Sequence, residues 1–225
     1  MITIPSTIQT IIWDFDGTLI DSFEIYVEVL AEAVRILNLT LPDLLVLKQN
    51  FHGTLRDSMT NALEINDENI IEQLVEKFLE LQENYYALPD EHLIEDAFLL
   101  TQRLHASGKR QILVTNRMHA GHGNASPKHI VEHSNLSMFI DQVLASDEVA
   151  FRKPDARVLD AIKGKYDLDN ALVIGDQFVD AELAHNLGVH AILVDRAGQG
   201  IAHIDSLPDA ANFQIVKSLD DVMVL

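Results

Sequence analysis

The chain has 225 residues, 48% of them hydrophobic, enough for a full α/β domain plus a smaller accessory unit and too apolar for wholesale disorder. It carries 35 acidic against 16 basic residues, a formal net charge of −19, which argues against an extended polyanion such as nucleic acid but not against one small phosphate ester. Cysteine is absent, which excludes disulfides, zinc thiolates and a cysteine nucleophile, and no apolar run approaches the ~20 residues of a membrane helix.

The opening Met1-Ile2-Thr3-Ile4-Pro5 lacks the basic start and long apolar core of a signal peptide. A cytoplasmic protein that contacts neither membrane nor nucleic acid is expected. The first predicted strand, Thr10 to Asp14, runs into Phe15-Asp16-Gly17-Thr18-Leu19-Ile20-Asp21-Ser22. Asp14 and Asp16 are thus two carboxylates at the end of a buried strand, where open α/β sheets bind ligands. One can attack while the other moves a proton, and both can help hold a hard cation. Asp16-Gly17 also fits a hairpin turn between two apolar runs, and this segment alone does not separate the readings.

From Phe23 to Leu88 only helical patterns occur: Phe23 to Leu37, Asp43 to Gln49, Leu55 to Leu63 and Glu68 to Ala87. Leu74, Phe78 and Leu81 line one face of the last. Within this interval, Phe51-His52-Gly53-Thr54-Leu55-Arg56-Asp57 leads a glycine-containing loop and a cation into a helix. Arg56 is a candidate substrate contact, or a solvated helix residue.

A helix from Asp90 to Ser107 then leads to a strand from Gln111 to Thr115, which ends on Thr115-Asn116-Arg117. The loop Met118 to Asn124 holds His119 and His122, which would serve a second metal or, as we expect, a mobile loop over the cleft. Next come a helix (Pro127 to Ser134), a strand (Gln142 to Ala145), and Phe151-Arg152-Lys153-Pro154, whose proline is expected to open a helix to Lys165. A strand from Ala171 to Gly175 follows, then Asp176 and Asp180, a helix (Val179 to Leu187) and a strand from Ala191 to Val194. Taken singly, Thr115-Asn116 fits a turn, Lys153 a surface lysine, Asp176 a helix N-cap and Asp180 a first-turn acid. The alternation of strand and helix predicts a parallel sheet with right-handed crossovers.

Asp14-x-Asp16, Thr115-Asn116, Lys153-Pro154 and Gly175-Asp176 with Asp180, in that order, resemble the signature segments of the haloacid dehalogenase (HAD) superfamily of aspartate-based phosphohydrolases. The likeness runs from about Ile8 to Asp195. Gln177 departs from it, since relatives often carry a small hydroxyl residue there. The resemblance implies an α/β fold: a Rossmann-like parallel-sheet core (residues 1–21 and 89–225) with an inserted all-helical cap (22–88), like the phosphoglycolate phosphatase and β-phosphoglucomutase subgroup. Hinges would lie near Leu19 to Ser22 and Leu88 to His92. Extra helices packed on a single domain are the alternative.

By the same resemblance Asp14 is the nucleophile, and Asp16 protonates the leaving oxygen and then deprotonates the hydrolytic water. Lys153 offsets charge on Asp14 and the phosphoryl group. Gly17 and Thr18 turn the chain and expose N–H groups to phosphate; Thr115 donates its hydroxyl to a phosphoryl oxygen; and Asn116 positions nucleophile or phosphate. Mg2+ is held by the Asp14 side chain, the Asp16 carbonyl and Asp176, with Asp180 holding a metal water or Lys153. Arg117, like Arg56, is a candidate substrate contact. The implied activity is Mg2+-dependent hydrolysis of a small phosphorylated metabolite through an aspartyl-phosphate. The alternatives are a sugar phosphomutase and a non-catalytic phospho-ligand binding protein, and Asp16 argues against the last.

Overall fold

The structure is a computed structural model that describes residues 2–51, 54–120, 122–198, 201–208 and 212–225. A short strand β1 (Ile2–Ile4) precedes β2 (Thr10–Trp13), every residue of which is buried. Four helices follow: α1 (Ser22–Ile36), α2 (Leu44–Asn50), α3 (Leu55–Leu63) and α4 (Glu68–Tyr85). The chain continues through α5 (Glu95–Ala106), β3 (Arg110–Val114), α6 (Pro127–Glu132), β4 (Gln142–Leu144), β5 (Ala171–Gly175), α7 (Phe178–Leu187) and β6 (His190–Val194). It ends with β7 (Phe213–Val216) and β8 (Val222–Val224).

Six strands form one parallel sheet in the order β4-β3-β2-β5-β6-β7, while β1 and β8 pair separately. Near-continuous apolar runs suit β2, β3 and β5, because helices cover both faces of such a sheet. Trp13 and Gln111 carry paired polar atoms into this core: Trp13 Nε1 donates to Gln111 Oε1 at 2.9 Å, and Gln111 Nε2 to the Thr101 carbonyl at 2.9 Å. The chain leaves β2 toward β3 on one side and returns as β5 on the other. The strand order therefore reverses at β2, and the carboxyl ends of β2, β3 and β5 frame the crevice that such sheets use for ligands. Both neighbours of β2 are parallel to it, so Asp16-Gly17 is not a hairpin.

The inserted helices pack by ordinary amphipathic logic. α4 buries Ile71, Leu74 and Phe78, and each such side chain contributes about 1.5–3 kcal/mol. Tyr26 of α1 lies between Phe51 and Phe78, with ring centroids 4.8 and 5.7 Å away. Asp21, Thr54 and Asp67 cap α1, α3 and α4 with their side chains. One apolar cluster runs from these helices (Leu30, Leu47, Met59) to the sheet (Trp13, Leu113, Ile174). The two connections between insert and sheet run antiparallel: Asp21 N–H donates to the His92 carbonyl at 3.0 Å and Ile94 N–H to the Leu19 carbonyl at 2.9 Å.

Two helices differ from expectation. The helix expected from Asp90 to Ser107 is broken, because Leu93 and Ile94 extend to bond Ile20 and Leu19; a short turn (Pro89–His92) precedes α5. The helix expected from Pro154 to Lys165 is a tighter 3-10 segment, Ala156–Ile162, capped by Asp155. Gly164 (φ +78°) and a Lys163–Tyr166 bridge end it early. Strands β1, β7 and β8 were not anticipated.

Candidate active site

Asp14 stands at the carboxyl end of β2, where its N–H makes a sheet bond to the Ile174 carbonyl at 2.8 Å. The chain then turns sharply. Gly17 N–H donates to the Ile20 carbonyl at 2.8 Å and Thr18 N–H to the Phe15 carbonyl at 3.3 Å. Both N–H groups are engaged within the turn. Gly17 adopts φ +79°, and a β-carbon there would lie 2.3 Å from Asp176 Oδ2. The Thr18 side chain turns toward the carboxylates. Fully buried, its hydroxyl lies 3.3 Å from Asp14 Oδ2 and 3.4 Å from Asp176 Oδ1, bridging the two carboxylates.

Lys153 enters from the loop before the 156–162 segment. Its Nζ lies 2.5 Å from Asp14 Oδ1 and 2.7 Å from Asp180 Oδ1, with all three side chains at most 10% exposed. Asn116 clamps the Lys153 main chain. Its Nδ2 donates to the Lys153 carbonyl at 3.1 Å and its Oδ1 accepts from Lys153 N–H at 3.0 Å. The second Asp180 oxygen accepts from Gln177 N–H at 3.1 Å, which seats the start of α7. The Gln177 side chain is exposed, so its departure from the family pattern leaves this contact untouched.

One carboxylate oxygen each from Asp14, Asp176 and Asp180 lie within 4.8 Å of one another. Burial, then the charge of Asp180, raises the proton affinity of Asp14 although Lys153 opposes this. Burial, Asp14 and Asp180 raise that of Asp176 well above the ordinary carboxylate value. Burial works against the Lys153 charge, but Asp14 and Asp180 outweigh it and hold the ammonium firmly protonated. Three carboxylates around one ammonium leave an excess of negative charge. Two carboxylates pushed toward protonation and an all-oxygen donor set fit a hard divalent cation.

Thr115 follows β3. Its hydroxyl oxygen accepts from Arg117 N–H at 3.0 Å, and among the described residues its own proton has no acceptor. The Arg117 side chain is 11% exposed and forms an ion pair with Asp16. Its Nη1 donates to the Ala125 carbonyl at 3.1 Å and the Tyr86 hydroxyl at 3.4 Å. The guanidinium also lies over the Phe15 and Tyr86 rings, 5.3 and 5.7 Å from their centroids. Burial opposes its charge, yet Asp16 and Tyr86 more than offset that and keep it charged.

The model of the haloacid dehalogenase-like hydrolases matches residues 11–194. The chain belongs to this family. It is 26% identical over 122 residues to a phosphoglycolate phosphatase of Rhodobacter capsulatus, a match that covers 54% of this chain and 53% of that protein. The chain thus matches about half the length of that relative. It is 24% identical over 222 residues to pyrophosphatase PpaX of Bacillus cereus (strain Q1), covering 97% of this chain and 96% of that protein. The solved structure of the HAD-hydrolase YfnB from Bacillus subtilis, bound to magnesium, is similar in fold. Its TM-score is 0.73 at 16% identity, over 95% of this chain and 96% of that one. The family is one of hydrolases, and both relatives carry the names of enzymes that act on phosphate compounds.

Two sequence candidates in this HAD-like hydrolase lie apart from the carboxylate cluster's hydrogen bonds. Arg56 forms a largely exposed ion pair with Glu68 at 2.5 Å, within the inserted helices; His52 and Gly53 of its loop lie outside the described residues. In the loop after Arg117, whose Gly121 is likewise outside, the His119 and Ala120 N–H groups each donate to Asp147 at 2.8 Å. His119 Nε2 faces Glu148 at 3.0 Å. His122 Nδ1 faces Gln82 of α4 at 3.5 Å, and burial, with Arg117 nearby, lowers its pKa to about 4. Among the described residues Asp14, Asp176 and Asp180 are the one group of three possible metal ligands, so the histidine loop forms no second metal centre there. It is anchored on Asp147 and lies against α4. No helix of the described residues is long and apolar enough to cross a membrane.

Proposed function

We propose that this HAD-like phosphohydrolase is a Mg2+-dependent phosphatase that hydrolyses a small phosphate monoester through an aspartyl-phosphate on Asp14. The observation that carries the reading is the Lys153 ammonium bound to both Asp14 and Asp180, with an Asp176 oxygen within 4.8 Å of theirs. A phosphate dianion repels an anionic attacker, so charge must be neutralised before the reacting atoms can align. Lys153 does part of this at Asp14, and the free Thr115 proton binds a phosphoryl oxygen. Asp14, the Asp16 carbonyl and Asp176 would hold Mg2+, which when bound adds positive charge beside the phosphoryl group and orients it.

An oxygen of Asp14 attacks phosphorus while the bond to the leaving oxygen breaks, and Asp16 gives that oxygen its proton. The ionised Asp16 then takes a proton from the water that attacks phosphorus. The Asp14–phosphorus bond breaks and orthophosphate departs. Residues 22–88 form a cap over the core of 1–21 and 89–225, hinged at the paired connections around Ile20 and Leu93.

Arg117 supports a narrower substrate class. Its ion pair with Asp16, the acid in this reading, would put it on the leaving-group side of phosphorus. When Asp16 is protonated, the buried guanidinium lacks its counter-charge, and an anion on the leaving group replaces it. Leaving groups that carry a carboxylate or phosphate satisfy this, and the relatives named above act, by their names, on phosphoglycolate and pyrophosphate. Phosphate release from 2-phosphoglycolate, pyrophosphate, a hexose phosphate and p-nitrophenyl phosphate tests the reading. Mg2+-dependent release that favours anionic leaving groups and is abolished by Asp14→Asn is expected. Release that survives Asp14→Asn, or none on any substrate, overturns it.

A further inference from the structure

Asp16 is a short side chain at a turn, 26% exposed, and its carboxylate has one hydrogen-bond partner among the described residues, the guanidinium of Arg117. What fixes Asp16 is therefore what fixes Arg117. The Arg117 main chain is anchored at both ends: its N–H donates to Thr115 Oγ1 at 3.0 Å, and its carbonyl accepts from Ser146 N–H at 3.1 Å. The guanidinium itself depends on the Ala125 carbonyl and on Tyr86, whose hydroxyl accepts from it at 3.4 Å and whose ring lies beneath it.

Tyr86 is fully buried and comes from the other part of the molecule. It is the residue just after α4, where the inserted helices turn back toward the sheet. Its ring meets that of His92 edge-on at 5.5 Å, and the His92 carbonyl receives the Asp21 N–H across the paired connections. One turn earlier on α4, Gln82 faces His122 at 3.5 Å, and a β-carbon at Gly123 would collide with Glu83. The end of α4 is thus seated against the loop that follows Arg117.

We propose that Tyr86 is a positioning residue for proton transfer: acting through Arg117, it holds the Asp16 carboxyl in line with the leaving oxygen, so that the acid step depends on how α4 is seated. The proposal rests on the reading of Asp16 as acid and base. Tyr86 touches neither the substrate nor the reacting atoms. Its ring gives the cation a face, and its hydroxyl removes alternative orientations of the guanidinium. A misplacement of about 1 Å at a reacting group can cost about 10²-fold in rate, so a small loss of order at Asp16 is measurable.

The test compares kcat/KM on phenyl phosphate, whose leaving oxygen needs a proton, with that on 2,4-dinitrophenyl phosphate, whose leaving group departs as an anion. Tyr86→Phe keeps the ring and removes the hydroxyl. It is expected to lower kcat/KM on phenyl phosphate about tenfold and to leave the dinitrophenyl ester within about twofold. Arg117→Lys keeps the charge but loses the forked contact, and in that background Tyr86→Phe is expected to add no further loss on phenyl phosphate. Equal losses on both esters, no loss on phenyl phosphate, or losses that multiply in the double variant would each overturn the proposal. Asp16→Asn separates the two levels. If it loses both esters equally, the reading of Asp16 fails and this proposal with it; if it is selective while Tyr86→Phe is not, only the proposal fails.

Discussion

A β-carbon at Gly175 would lie 2.3 Å from Asp180 Cγ, just as one at Gly17 would lie 2.3 Å from Asp176 Oδ2. The two glycines leave the room into which the Asp176 and Asp180 carboxylates fold, and that crowding brings three carboxylates together. Asp14 and Asp176 both have their folded pKa raised above the ordinary 3.8. In the window above 3.8 the folded chain therefore binds more protons than the unfolded chain, and the metal-free protein loses stability as pH rises through the raised values. Asp176→Asn is accordingly expected to raise the melting temperature of the metal-free protein at pH 7. The same substitution should abolish the gain from MgCl2, about 2.7 kcal/mol for wild type at 100 times the dissociation constant. Thermal melts with and without MgCl2 read both effects, and a lower metal-free melting temperature for the variant would contradict the charge account. The place of Asp14 and Asp176 after apolar strands was legible in the sequence, and their reading as one group came from the family resemblance. The Arg117–Asp16 pair was not legible there, because it joins residues 101 apart in the chain and no local pattern records it.

Asn116 shows what elements add to residues. It follows β3, and its amide clamps the Lys153 main chain across 37 residues, so one loop sets the cation that another carries. Asn116→Ala removes both bonds and is expected to cost about 1–3 kcal/mol in stability and about 10–10² in kcat/KM, since Lys153 is freed from its seat. Denaturant midpoints and phosphate release together check this; full activity with normal stability would deny Asn116 that role. At this scale the buried strands β2, β3 and β5 were legible as continuous apolar runs. The helical insert was legible through its 3.6-residue periodicity and lack of strand pattern. β1 and β8 escaped notice because three residues offer no period to read, and β7 because Gln214 and Ile215 are both exposed, which breaks alternation. The break before α5 escaped because it is imposed by pairing with Leu19 and Ile20 rather than by a proline or glycine.

The whole molecule carries a net charge of −19, yet its site is built to take an anion. The local cations Lys153 and Arg117 act within the crevice, whereas the acidic surface repels an approaching phosphate from further away. The Debye length shrinks from about 30 Å at 0.01 M salt to about 8 Å at 0.15 M, so kcat/KM on a dianionic substrate is expected to rise over that range. A fall would mean that the cations at the crevice govern approach as well as binding. The arrangement joins a parallel sheet, which fixes Asp14, Thr115 and Asp176 at adjacent strand ends, to inserted helices that reach Asp16 through Tyr86 and Arg117. That arrangement predicts a covalent bond between Asp14 and phosphorus during turnover. Acid quenching during turnover, borohydride reduction of the acyl phosphate and peptide mass spectrometry test it most directly. Conversion of residue 14 to homoserine only when substrate and Mg2+ are both present is the predicted result, and an unmodified residue 14 during active turnover, or reduction at another carboxylate, would contradict it.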